Sequence, residues 1–172
     1  NTAMIMKLSS SIKGLITAAL MVGVFLLIYQ ADKNSDQQKT SVGSSLQYIV
    51  YAIYGAGIVW TLLSFRQTPA FTGKFGDNFQ QGFRCFVVVT LSMALFYGIF
   101  NALHPEFSEQ MAVTLREQLT NEKGKLPAEI DDAVAAFKKQ YTLKLVSGAI
   151  FGYLIIGAGI TAVLSALLNR RK

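Results

Sequence analysis

Four long apolar runs, set apart by polar segments, limit what this chain can fold into more than any other feature. They are IKGLITAALMVGVFLLIY (12–29), LQYIVYAIYGAGIVWTLLSF (46–65), FRCFVVVTLSMALFYGIFNAL (83–103) and LVSGAIFGYLIIGAGITAVLSALL (145–168). A helix needs roughly 20 apolar residues to cross a hydrocarbon core of ~30 Å, and each run has about that length. The reading is all-α: a four-transmembrane-helix bundle forming a single integral membrane domain over residues 1–172. A soluble helical bundle is the alternative. Composition favours the membrane, because only 15% of the residues are charged where soluble domains carry about 25%. Lys13 falls at the edge of the first run and is expected to reach the headgroups by snorkelling.

The first run has a basic start and an apolar centre, as a signal peptide does. It lacks an A-x-A cleavage site and three further runs follow, so it reads as a retained helix. Asn1 to Ala3 precede Met4 and Met6, either of which reads as a natural start, and the fold reading leaves them out.

The polar segments differ in character. Residues 30–45 (QADKNSDQQKTSVGSS) read as a short flexible loop of balanced charge. Residues 66–82 contain Pro69, Gly73 and Gly76 and read as a turn-rich connection. Residues 105–143 are longer and patterned. Pro105 suits a first helical turn, and Phe107, Met111, Leu115 and Leu119 then recur every four residues. Gly124 and Pro127 interrupt this pattern. Glu129, Asp131 and Asp132 open a second helix that Lys138, Lys139 and Lys144 close, in keeping with the helix dipole. Its apolar face carries Ile130, Val134, Phe137 and Tyr141. The segment is predicted to be an amphipathic helical hairpin between spans three and four, whose apolar faces pack on each other, on the membrane surface or on a partner. It is expected to dock on the outer span ends or a second subunit, with Phe107, Met111, Leu115, Ile130, Val134 and Phe137 buried together.

Charge gives the orientation. One side of the membrane would hold Lys7, Lys13, Arg66, Lys74, Arg84, Arg170, Arg171 and Lys172 against Asp77 alone. The other would hold nine acids and eight bases. Lys and Arg near span ends mark the cytoplasmic face, so both termini are expected inside and the hairpin is expected to be extracytoplasmic. Tyr29, Tyr48, Tyr51, Phe96, Tyr97 and Phe100 would form the outer aromatic belt, and Phe65, Phe83 and Phe86 the inner one. The net charge of +6 is accounted for at the span ends. With no basic stripe interleaved with aromatics, nucleic acid is excluded as a partner.

Candidate chemistry is sparse. Arg84 beside Cys85, the lone cysteine, could stabilise a thiolate. A nucleophile also needs an oriented base, and the sole histidine, His104, falls at the opposite membrane face. The pair is read as structural, with Arg84 marking the cytoplasmic edge of span three. His104 has Glu106 and Glu109 nearby, but one histidine and two loosely spaced acids are no metal set of known geometry. It reads as a helix-end residue bonded to backbone. Tyr48, Tyr51 and Tyr54 line one side of span two, as a belt sooner than as a ligand-stacking row. No catalytic, cofactor-binding or metal site is assigned.

No Asp or Glu lies within a span, which speaks against coupled transport. The polar residues there (Thr17, Thr61, Thr90, Ser92, Asn101, Ser147, Thr161, Ser165) read as interhelical hydrogen-bond partners. Ala19 with Gly23, Ala52 with Gly55 and Ala56, Ala94 with Gly98, Gly148 with Gly152, and Ala158 with Ala162 are spaced for close helix approach.

YAIYGAGIVWTLLSFR (51–66), FGDNFQQGFRCFVVVTLSMALF (75–96) and HPEF (104–107), in this order, resemble a family of small bacterial membrane proteins, domain-of-unknown-function family 4199. The resemblance covers nearly the whole chain and brings no reaction, cofactor or catalytic residue with it. It implies a bacterial inner membrane. It also implies an accessory role beside a glycosyltransferase acting on a polyprenyl-phosphate carrier, whose genes neighbour those of the family. The function expected is therefore a non-enzymatic membrane accessory or scaffold protein, with the bilayer and a membrane protein or a second copy as partners. The alternative is a small oligomeric channel or transporter for an uncharged or lipidic substrate. A membrane enzyme is disfavoured, since no nucleophile–base pair or opposed carboxylates can be assembled on one face.

Overall fold

The computed structural model describes residues 8–34, 42–121 and 126–169, and among these every regular element is a helix. In chain order they are α1 (Ser10–Asn34), α2 (Val42–Arg66), α3 (Phe75–Leu103), α4 (Glu106–Asn121) and α5 (Pro127–Asn169). Four of them, α1, α2, α3 and α5, are long and apolar enough to cross a membrane. Lys7, Gly124, Arg170, Arg171, Lys172 and residues 35–41 lie outside the described residues, and the rest of the expected 30–45 loop is helical, in α1 and α2.

Helix ends follow local chemistry. α2 stops where Thr68 donates both its backbone N–H and its hydroxyl to the Phe65 carbonyl, at 2.9 and 2.7 Å, directly before Pro69. The chain then turns through Gly73, whose φ of +71° is a backbone state that side chains with a Cβ resist. α3 begins at Phe75, eight residues ahead of the expected span. Its first turn holds Asp77, which accepts a hydrogen bond from the Thr72 hydroxyl. The 66–82 connection is therefore shorter than expected, and residues 75–82 are helical. The signal was present as Phe75, Phe79 and Phe83, one helical turn apart, whose rings stack at 5.8 and 6.5 Å.

α5 starts with Pro127 as its first helical residue, and the Glu129 carboxylate reaches back to accept the Leu126 N–H at 3.2 Å, as in a capping box. It then runs 43 residues without a break. The second hairpin helix and the fourth span, expected as two elements, are one. No proline or glycine lies between Pro127 and Gly148 to divide them.

The chain forms two compact units, residues 1–93 with 151–172, and residues 94–150. In the first, α1, α2, α3 and the C-terminal part of α5 pack as a bundle. Lys13 and Thr17 of α1 meet Trp60 and Gly57 of α2, an antiparallel register. Gly82 and Phe86 of α3 meet Thr161 and Gly157 of α5, also antiparallel. Ser10 and Gly14 of α1 meet Gln81 and Cys85 of α3 in parallel. The path is thus up-down-up-down, with the start of α1 and the end of α5 at the same end of the bundle.

In the second unit α4 lies antiparallel to the first part of α5. Ala112, Ile130 and Val134 form its buried cluster, with Leu119 and Phe137 packed against it. Lys138 Nζ bonds Glu109 at 2.5 Å, and seven residues on along α4, and back along α5, Arg116 pairs with Asp131. Met111 departs from expectation: it is 48% exposed, and Ala112 takes its place inside. Steps of four residues drift by ~40° each around a helix of 3.6 residues per turn, so Phe107 and Met111 rotate away from the face that Ala112, Leu115 and Leu119 share.

Candidate functional site

Toward the end where α1 begins and α5 ends, the bundle core holds many polar side chains beside Ile58 and Leu62. Ser10, Lys13 and Thr17 of α1, Thr61 and Ser64 of α2, Asn78 of α3, and Thr161 and Ser165 of α5 are all buried there. Farther along, Met21, Val50, Val89 and Met93 make the core apolar. Apolar side chains instead cover the outside: Leu15, Leu20 and Leu27 on α1, and Phe151, Ile155, Val163 and Leu167 on α5.

Close contact in this bundle is made by side chains seated on glycine. Thr17 lies against Gly57, Thr161 against Gly82, and the Tyr54 hydroxyl and Phe86 against Gly157, each where a Cβ would collide. The small-residue pairs picked out by spacing are not these. A Cβ at Gly23 or Gly148 would meet nothing within 4 Å, while Ala19, Ala52 and Ala56 face outward.

Lys13 does not snorkel outward. It is 3% exposed, with its ammonium 5.7 Å from the centre of the Trp60 ring, a cation–π arrangement. Beside it the Ser10 hydroxyl donates to Gln81 Oε1 at 2.6 Å. Sequence reasoning missed Asn78 and Gln81 because it placed them in a connection.

Cys85 is fully buried, and α3 begins about two and a half turns before the exposed Arg84 beside it. The thiol sulfur lies 3.3 Å from Thr61 Oγ1. Thr61 has one proton to give, and the Gly57 carbonyl 2.9 Å away is the better acceptor. The thiol therefore faces a hydroxyl and a carbonyl, neither of which is a base at neutral pH. Thr17 and Thr90 likewise donate to carbonyls four residues back, each at 2.8 Å. These threonines give their protons to carbonyls of their own helices, and Thr61 also meets Cys85 across the α2–α3 seam, as the interhelical expectation has it. Asn101 does bridge two helices, donating to Thr142 Oγ1 at 2.5 Å.

The aromatic rows also resolve. Tyr48 is 73% exposed. Tyr54 is fully buried and donates its hydroxyl to the Tyr153 carbonyl at 2.8 Å, with the two rings edge to face at 5.3 Å. Phe86, expected in the inner belt, is buried against Gly157. His104 Nδ1 lies 3.0 Å from the Phe100 carbonyl and its ring stacks on Phe100 at 4.3 Å, so the proton sits on Nδ1 for that bond. Glu109 is engaged by Lys138. Among the described residues no three His, Cys, Asp or Glu side chains are grouped to hold a metal.

No curated protein and no solved structure matches the chain. A family model does, over residues 13–170, an extent that takes in α2 to α5 and all of α1 except its first three residues. The chain therefore belongs to the family described as protein of unknown function (DUF4199).

Proposed function

We propose that this chain is a non-enzymatic integral membrane accessory protein of the bacterial inner membrane, which engages a second membrane protein through its amphipathic helical hairpin. The observation that carries this reading is the length of α5. Its 43 residues extend about 65 Å at 1.5 Å per residue, twice the ~30 Å hydrocarbon core. The apolar stretch 145–168 accounts for the span. Residues 127–144, with α4 against them, are left for water, where exposed ion pairs such as Arg116–Asp131 belong. The excess of Lys and Arg at the other end of the spans supports termini inside and the hairpin outside. A glycosyltransferase acting on a polyprenyl-phosphate carrier is the partner that the family resemblance suggests, and a second copy of the chain is the simplest other one.

Purification from native membranes in mild detergent tests this. The full chain is expected to bring down one membrane protein in stoichiometric amount, and Phe137→Asp, which disturbs the hairpin, is expected to lose it. Repeated recovery of the wild-type chain alone would count against the proposal. The buried hydroxyl and amide groups near the termini favour a second reading, a channel or transporter for an uncharged or lipidic substrate. Liposome flux with and without the protein decides it, and no difference across sugars, ions and lipid analogues would exclude it.

A further inference from the structure

Four polar atoms in the bundle core meet no hydrogen-bond partner among the described residues: both amide atoms of Asn78 and the hydroxyl oxygens of Thr161 and Ser165. All three side chains are 1% exposed or less. The helix register brings them together. Thr161 of α5 sits against Gly82 of α3, and Gly157 against Phe86. One turn back along α3 is Asn78, and one turn on along the antiparallel α5 is Ser165, so the two fall at the same level. Thr161 and Ser165, four residues apart, share a face.

These hydroxyls behave unlike the bundle's other threonines. Thr17, Thr61 and Thr90 each donate to the carbonyl four residues back, while Thr161 and Ser165 make no such bond. A buried polar group without a partner is costly, and interiors meet that cost with internal water. The donor set suits water. Asn78 offers an acceptor oxygen and an amide donor, and each hydroxyl can donate and accept. A cation would find no carboxylate, since no Asp or Glu is buried among the described residues. An anion would meet the Asn78 acceptor oxygen. Lys13, the buried cation, is held over Trp60 on the α1–α2 side.

We infer that Asn78, Thr161 and Ser165 form an internal water site at the α3–α5 seam, which hydrates the end of the bundle core near the termini while the part around Met21 and Met93 stays dry. The site would give a small uncharged hydrogen-bonding molecule a foothold inside the bundle.

The protein carries its own reporters. Cys85, Met21 and Met93 are all fully buried and all bear sulfur that hydroxyl radicals oxidise. Cys85 lies three residues from Gly82, the residue that Thr161 covers. The full chain in lipid nanodiscs would be exposed to brief X-ray radiolysis in isotopically labelled water, which generates radicals from bound water. Each sulfur is scored against its own rate in the unfolded chain. Cys85 should be modified severalfold faster than Met21 and Met93. Asn78→Leu, or the milder pair Thr161→Val with Ser165→Ala, should bring it down to their level. Equal protection of all three sulfurs, or an excess at Cys85 that survives both variants, would overturn the site.

Discussion

The bundle and the hairpin differ in what they bury and in what they expose. In the bundle, Lys13, Thr17, Thr61, Asn78, Thr161 and Ser165 are buried beside Ile58, Leu62 and Phe86, while many further leucines and isoleucines face outward. In the hairpin, Ala112, Ile130 and Val134 are inside, while Glu109–Lys138 and Arg116–Asp131 pair across an exposed surface. Each arrangement suits a different solvent. Helices in lipid gain nothing from hiding leucine, so their association rests on close packing and polar contacts. Helices in water associate by burying apolar area. The same substitution should therefore act differently in the two regions.

The largest effect is expected at Gly157, where the Tyr54 hydroxyl and Phe86 from two different helices occupy the place of a Cβ. Gly157→Leu should destabilise the bundle by about 3 kcal/mol, the upper part of the range for overpacking, read as a lowered midpoint of unfolding in mixed micelles. Wild-type stability in that variant would show that the α2–α3–α5 seam is looser than described.

Phe137→Asp should come next, and in the other region. Burying a side chain of this size contributes about 1.5–3 kcal/mol, and Phe137 is only partly buried against the Ala112 cluster. Limited proteolysis should then cut faster within residues 128–141, while the unfolding midpoint of the bundle stays put. Equal cutting of wild type and variant would mean that the hairpin is not a packed element.

Much of this contrast was legible in the chain, and the rest was not for identifiable reasons. Span length, the capping of α5 by Pro127 and Glu129, and the apolar positions Ile130 and Val134 are local signals and needed no partner to be read. The unbroken α5 was legible too, in the want of a glycine or proline between Pro127 and Gly148. The close contacts were hidden because a glycine on one helix is marked only by what another helix places on it. Gly57 is chosen by Thr17 and Gly82 by Thr161, side chains distant in sequence, whereas Ala19 and Gly23 have the right spacing and no knob. Lys13 was misread for the same reason, since Trp60 lies on the next helix. The polar end of the core was hidden because Asn78 and Gln81 sit in a glycine-containing stretch that looked like a turn.

The smallest effect belongs to the surface pairs. Lys138→Ala breaks the 2.5 Å contact with Glu109, but both side chains are well exposed, at 40% and 62%. The loss should be within about 1 kcal/mol and should vanish at high salt. Amide exchange along α4 at two ionic strengths would measure it. A larger, salt-insensitive loss would mean that the pair is shielded by something docked on the hairpin.

The proposed function rests on an orientation in which the connection between α2 and α3 faces the cytoplasm and the hairpin faces the other side. Single cysteines at Gln67 and at Asn121, each in a Cys85→Ser background, test it directly with an impermeant maleimide on intact spheroplasts. Asn121→Cys should be labelled at once and Gln67→Cys only after lysis. Labelling of Gln67→Cys in intact cells, with Asn121→Cys protected until lysis, would invert the protein. Equal labelling of both before lysis would contradict a membrane-spanning bundle altogether.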